Sequence, residues 1–171
     1  RPAFEEAGFE LTTVLFVLGK SGTLKSHYTP LIVQLYNRSS GIKPTTRFNS
    51  SLSYIERTLY ANRGMTSVID DLHTAETDAI KRDNERKFEE IDRRISDNVG
   101  RGHIEGRSLV QNSFEGNVVM IGEYLYGKAS TIPRYLTLYF DKAPKKDVVD
   151  KYQREYPLVM STFYHYYIQH K

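Results

Sequence analysis

The run Thr12-Thr13-Val14-Leu15-Phe16-Val17-Leu18 is continuous and β-prone, and it stops at Gly19. A strand with one wet face alternates apolar and polar residues. A strand without alternation is covered on both faces, as in a parallel sheet. Parallel neighbours are joined by crossovers, usually helical, so this one run already points to an α/β chain. The rest of the sequence reads that way. Residues 25–36 place Tyr28, Leu31, Ile32 and Leu35 at helical spacing, with Pro30 in the first turns where proline is tolerated. Residues 45–50 predict a short second strand. Leu52, Ile55, Leu59 and Tyr60 predict a helix, and residues 65–72 a strand closed by Asp70-Asp71. Residues 76–97 are dominated by charge, with Phe88, Ile91 and Ile95 as a thin apolar stripe on a largely solvated helix. Residues 98–116, rich in Gly, Asn, Ser and Arg, read as loop. Residues 117–121 and 135–140 predict two further buried strands. Residues 145–156 and 158–170 predict two closing helices separated by Pro157. The expected architecture is a three-layer α/β sandwich with a mainly parallel sheet, a core over 1–142 and a helical extension over 143–171.

Composition narrows the classes. At 171 residues the chain is one domain, or one domain with an appendage, and 39% hydrophobic against 26% charged residues excludes wholesale disorder. The net charge of +3 permits nucleic-acid binding without demanding it. With no cysteine there is no disulfide framework, thiolate metal site or cysteine nucleophile. No apolar run approaches the roughly 20 residues of a membrane span. The chain opens Arg1-Pro2, without methionine, and its acidic start is unlike a signal peptide. The expectation is a piece of a longer, cytoplasmic protein with no membrane partner.

The chemistry is concentrated in Gly19-Lys20-Ser21-Gly22-Thr23-Leu24-Lys25-Ser26, which follows a predicted buried strand and opens a predicted helix. That is the context of the phosphate-loop pattern G-x-x-x-x-G-K-[ST]. Glycines let backbone N–H groups curl round a triphosphate, and the helix N-terminus adds partial positive charge. Lys25 would reach the β- and γ-phosphates, and the Ser26 hydroxyl would ligate Mg²⁺. Leu24 stands where the second glycine belongs. If its φ is positive, leucine costs about 1–2 kcal/mol there. If it already lies in the first helical turn the cost is small, and Gly22 supplies the freedom instead. About 45 residues after Lys25 comes Thr66-Ser67-Val68-Ile69-Asp70-Asp71. A carboxylate at the end of a buried strand suits a nucleoside triphosphatase: Asp70 would bind Mg²⁺ and Asp71 would polarise the attacking water. Paired acids also end strands or cap helices with no catalytic role.

These motifs resemble the P-loop ATPase domain, of the AAA+-like and MCM-like class, found in helicases of plasmids, phages and integrated mobile elements and often associated with primase-polymerases. Loops of the form G-x-T/S-G-x-x-K-S/T, with a bulky residue before the lysine, occur in that group. The resemblance spans about residues 12–140. Phe48-Asn49-Ser50-Ser51 resembles the segment before the acidic strand. Asn98-Val99-Gly100-Arg101-Gly102-His103 resembles an Asn-x-x-Gly-Arg-Gly-Arg loop with His103 for the second arginine. Gly122-Glu123 resembles a Thr-Gly-Glu with Ile121 for threonine, and Ser130-Thr131-Ile132-Pro133-Arg134 a Ser-x-x-x-Arg. The resemblance implies a ring-forming motor that couples Mg-ATP hydrolysis to translocation on single-stranded or forked DNA. It implies ATP and Mg²⁺ as cofactors, Glu123 as a sensor of the γ-phosphate or its water, and Arg134, or Arg101 or Arg107, as an arginine supplied in cis or across a ring interface.

Bland readings stand beside these. Arg101 and Arg107 fit a mobile Gly-rich loop equally well. Tyr156, Phe163, Tyr164, Tyr166 and Tyr167 could stack on bases, though helix packing is the commoner use of such a stripe. The five histidines show no metal-ligand spacing with acids. Two other function classes remain open: a small-molecule P-loop kinase with residues 76–107 as a lid, and a degenerate nucleotide-binding module used for assembly.

Overall fold

The computed structural model describes residues 14–27, 29, 45–62, 66–96, 102–105, 108–111, 117–127, 132 and 135–170. Five strands form one sheet: β1 (Val14–Gly19), β2 (Thr46–Arg47), β3 (Thr66–Leu72), β6 (Asn117–Gly122) and β7 (Tyr135–Phe140). Their order is β2-β3-β6-β1-β7, and every pair is parallel. The helices are α1 (Leu52–Ala61), α2 (Asp78–Ser96) and α3 (Lys146–Gln169). Residues 25–27 and 29, after β1, are also helical.

The non-alternating run of β1 is buried on both faces, as its composition requires. Val14, Phe16 and Leu18 join Ile69, Leu72, Val118 and Met120 on one face, under Ile55 and Leu59 of α1 and Phe88, Ile91 and Ile95 of α2. Val17 sits with Val68, Val119 and Ile121 on the other. Burying each such side chain contributes about 1.5–3 kcal/mol. Helix α1 starts where Ser51 accepts a hydrogen bond from the Tyr54 N–H, an N-cap worth about 1 kcal/mol. The charged helix α2 buries the apolar stripe its spacing predicts.

Three expectations are corrected. The predicted loop over 98–116 contains an antiparallel hairpin, β4 (Gly102–Glu105) with β5 (Ser108–Gln111), in which His103 pairs with Val110. Strand β7 is not buried: it pairs only with β1, and Leu136, Leu138 and Tyr139 are exposed. An apolar run cannot distinguish a central strand from an edge. The two closing helices are one, because α3 runs through Pro157 without a break. Proline removes one hydrogen bond there, at a cost of about 3 kcal/mol, and the turns on either side carry the helix across.

Candidate functional site

A parallel sheet places the carboxyl ends of all its strands at one edge. Ligands of open α/β sheets bind in the crevice beyond that edge, where successive connections leave in opposite directions. Here the chain leaves β1 for β2 at one edge of the sheet, and later passes from β6 over β1 to β7 at the other. The crevice therefore opens beyond the ends of β1, β6 and β3.

A cleft of about 240 Å³ lies there, lined among others by Ser21, Gly22, Leu24, Lys25, Asp70 and Glu123. Ser26, Asp71 and Gly122 line it too. Residues as far apart in sequence as Ser21 and Glu123 thus meet in one depression.

The loop is shaped by local chemistry. Gly22 has φ +78°, and the space where a Cβ would sit is open, so its glycine is needed for the backbone and not for room. Leu24 has φ 59°. The first of the two alternatives for this residue holds: it is left-handed, and the leucine carries the strain. Thr23 is buried; its hydroxyl donates to the Lys20 carbonyl at 2.8 Å. The Leu24 carbonyl accepts from the His27 N–H at 2.9 Å as the helix begins.

Lys25 is 8% exposed. Its ammonium donates to the carbonyls of Gly19 (2.6 Å) and Lys20 (2.7 Å) and to the Thr23 hydroxyl (3.1 Å). All three donors of a lysine are therefore satisfied by the loop itself. Burial pulls its pKa below the ordinary value, while the negative charges of Glu123 and Asp70 oppose that shift. Gly19 and Thr23 thus serve the lysine from behind and do not line the cleft. A neighbouring pocket lined by Gly19, Lys20, Glu123, Tyr139, Phe140 and Asp141 opens on the β7 side.

The acids arrive by a device that spacing did not reveal. Adjacent residues of a regular strand point to opposite faces. Between the pairs Ile69↔Met120 and Leu72↔Gly122 the register of β3 shifts, so Asp70 and Asp71 together face a single residue of β6. Asp71 takes φ 78° in this β-bulge. The bulge lets two consecutive aspartates line the same cleft, a common use of bulges beside functional sites. Asp70 Oδ1 accepts from the Asp71 N–H at 2.8 Å. Beyond the bulge, the Glu123 N–H donates to the Leu72 carbonyl at 2.8 Å, tying the end of β6 to the end of β3. Gly122 permits this approach: a Cβ there would lie 2.5 Å from both the Cβ and the carbonyl oxygen of Leu72.

His73 was not among the predicted site residues. It lines the cleft, with Nε2 2.5 Å from Asp71 Oδ1. A histidine two residues beyond a strand-ending aspartate was the available signal. Arg134, Arg101 and Arg107 fall outside the described residues, as do Ser130, Thr131 and Pro133. No group of three or more His, Asp or Glu among the described residues could hold a metal ion by itself. Ser26 and Asp70 on one cleft do fit Mg²⁺ that arrives with phosphates, since that ion usually takes one or two carboxylates and completes its shell with phosphate oxygens and water. No helix among the described residues is long and apolar enough to cross a membrane.

No family profile matches the sequence, and no curated protein matches it. Solved structures do. "SCCmec type IV Cch - active helicase" matches over 88% of this chain and 27% of that one, at 18% identity and a TM-score of 0.58. "The A form apo structure of NrS-1 C terminal region-CTR" matches over 91% of this chain and 37% of that one, at 9% identity and a TM-score of 0.55. The chain has the fold of a domain of that helicase, a parallel α/β sandwich. It spans well under half the length of either protein.

Proposed function

We propose that this chain is a Mg-ATP-binding and hydrolysing P-loop domain, the motor core of a ring-forming DNA helicase of a mobile element. One observation carries the reading: the Lys25–Ser26 loop, the Asp70–Asp71 bulge and Glu123 converge on one cleft at the carboxyl edge of a parallel sheet. Lys25 would exchange its loop carbonyls for β- and γ-phosphate oxygens. Ser26 and Asp70 would hold Mg²⁺, which neutralises phosphate charge when bound. Asp71 or Glu123 would orient the attacking water. Ser21, Gly22, Thr23 and Leu24 would shape the backbone cradle, with Gly19 behind it.

Arg134, Arg101 or Arg107 would complete the site, in cis or from a neighbouring subunit. The β4–β5 hairpin would face single-stranded or forked DNA. Residues 143–171 would be an extension docked on a core of 1–142. Val149 is buried, and the Gln153 side chain donates to the His27 carbonyl just beyond the loop. The setting is cytoplasmic.

Calorimetric titration of Mg-ATP into this chain, beside Lys25→Ala and Asp70→Asn, tests the nucleotide site. Saturable binding that Lys25→Ala abolishes, and that loses its Mg²⁺ dependence in Asp70→Asn, is expected. A folded chain that binds no Mg-ATP refutes the assignment. In the longer protein, hydrolysis stimulated by single-stranded DNA is the expected sign of a motor, whereas phosphate transfer to a small acceptor would indicate a kinase.

A further inference from the structure

We infer that His73 is a positioning residue that holds Asp71, an outer carboxylate of the cleft beside Glu123, for water attack. The inference rests on the hydrolysis reading above and adds a residue to it.

The imidazole stands near acids at the carboxyl ends of two strands, Asp71 in β3 and Glu123 just after β6. Nε2 lies 2.5 Å from Asp71 Oδ1, and Nδ1 lies 3.9 Å from Glu123 Oε1. Neutral with its proton on Nε2, or doubly protonated, the ring donates to Asp71. Asp71 needs such a partner. It sits on a bulge at φ 78°, with a carboxylate about one-third exposed, where nothing else among its described contacts selects one side-chain rotamer.

The backbone of His73 is fixed from within the fold. The Tyr126 hydroxyl donates to the His73 carbonyl, and Asn84 Nδ2 on α2 donates to that hydroxyl at 3.0 Å. Tyr126 is 1% exposed and stacks on Phe48, with ring centroids 5.8 Å apart. A partly buried chain of contacts therefore runs from α2 to the rim of the cleft and ends at this residue. The ring itself is 57% exposed and fills no core space, so its removal does not unfold the chain. That combination, a rigidly anchored backbone carrying an exposed ring bonded to a carboxylate of the cleft, has no use in packing.

Reacting atoms must sit about 3–3.5 Å apart and in line, and a misplacement of 1 Å can cost about 10²-fold in rate. The test follows trace Mg-ATP in the longer, assembled protein under single-turnover conditions, with protein in excess, for wild type, His73→Ala, His73→Gln and His73→Asn. Mg-ATP affinity is measured on the same samples by calorimetry. In His73→Ala the rate should fall roughly 10–100-fold while affinity changes less than about 3-fold. His73→Gln, whose amide nitrogen reaches the place of Nε2, should recover most of the rate; the shorter His73→Asn should not.

A rate unchanged in His73→Ala overturns the inference. So does a loss of rate and affinity in parallel, or a wild type that binds Mg-ATP but hydrolyses it no faster than water does. A folded wild type that binds no Mg-ATP overturns the nucleotide reading itself, and the two failures are thereby told apart.

Discussion

Leu24 offers a test in which the sign of an effect reports a backbone angle. Its φ of 59° places an L-residue where Cβ crowds the following carbonyl, a strain of about 1–2 kcal/mol. The strain belongs to Cβ. Leu24→Ala keeps it, and Leu24→Gly removes it. Both variants delete the same half-buried isobutyl group, so comparing them with each other cancels most of that loss. Glycine gives back about 0.5–1 kcal/mol through the larger freedom of its unfolded chain. The balance leaves the glycine variant more stable than the alanine variant by roughly 0.5–1 kcal/mol. At an ordinary position with negative φ the order is reversed by a similar amount. For a chain of this size the gap corresponds to about 1–4 °C in melting temperature. Urea unfolding and thermal melts of the two variants, side by side, read it directly. An alanine variant as stable as the glycine variant, or more so, would show that the loop is not left-handed at residue 24 and would refute the reasoning.

Three further outcomes follow from contacts within the fold. Tyr126→Phe removes the buried hydroxyl that bonds both His73 and Asn84, and should cost about 1–3 kcal/mol in urea unfolding; a loss below about 0.5 kcal/mol would mean the pair is not buried in solution. Gly122→Ala drives a methyl into Leu72 and should cost about 1–3 kcal/mol, with faster amide exchange at Glu123, whose N–H bonds the Leu72 carbonyl; undisturbed exchange there would contradict the close approach. Burial lowers the pKa of Lys87, which donates to the Phe48 and Ser50 carbonyls, below its ordinary 10.5. Between the lowered value and 10.5 the unfolded chain binds more protons than the folded one, so this lysine's contribution to stability rises with pH across that window. Lys87→Met should flatten the rise, and a stability difference from wild type that stays constant from neutral pH to about pH 10 would refute the shift.

What the sequence disclosed tracks what local physics decides. The buried run into Gly19 specifies a central parallel strand, and the lysine and serine after it specify where a helix must start. The apolar stripe Phe88, Ile91, Ile95 identifies the buried line of an otherwise charged helix. What it concealed depends on partners. Asp70 and Asp71 read as a strand end, but only the β6 partner creates the two-against-one register that turns both into the cleft. Strand β7 reads as buried because hydrophobicity is local while edge position is not. The β4–β5 strands are four residues each, too short for periodicity to rise above their Gly- and Arg-rich setting. Pro157 signals a break that a 24-residue helix overrides. Tyr126 looks like any aromatic after a strand, and its tie to His73 crosses 53 positions.

The three hydrogen bonds of the Lys25 ammonium make the loop a self-liganded cation site. Under the proposed reading, incoming phosphate would not meet a free charge. It would displace carbonyls in a substitution reaction, and the affinity gained would be the difference between two filled coordination shells. Neutralising the lysine would therefore do two things at once: delete the proposed attraction for phosphate and leave the carbonyls of Gly19 and Lys20 without their shared counter-charge. A variant that keeps the charge on a different shape, Lys25→Arg, separates the two, because it can still bridge the carbonyls while presenting a planar fork where, on the proposed reading, phosphates would require a point charge.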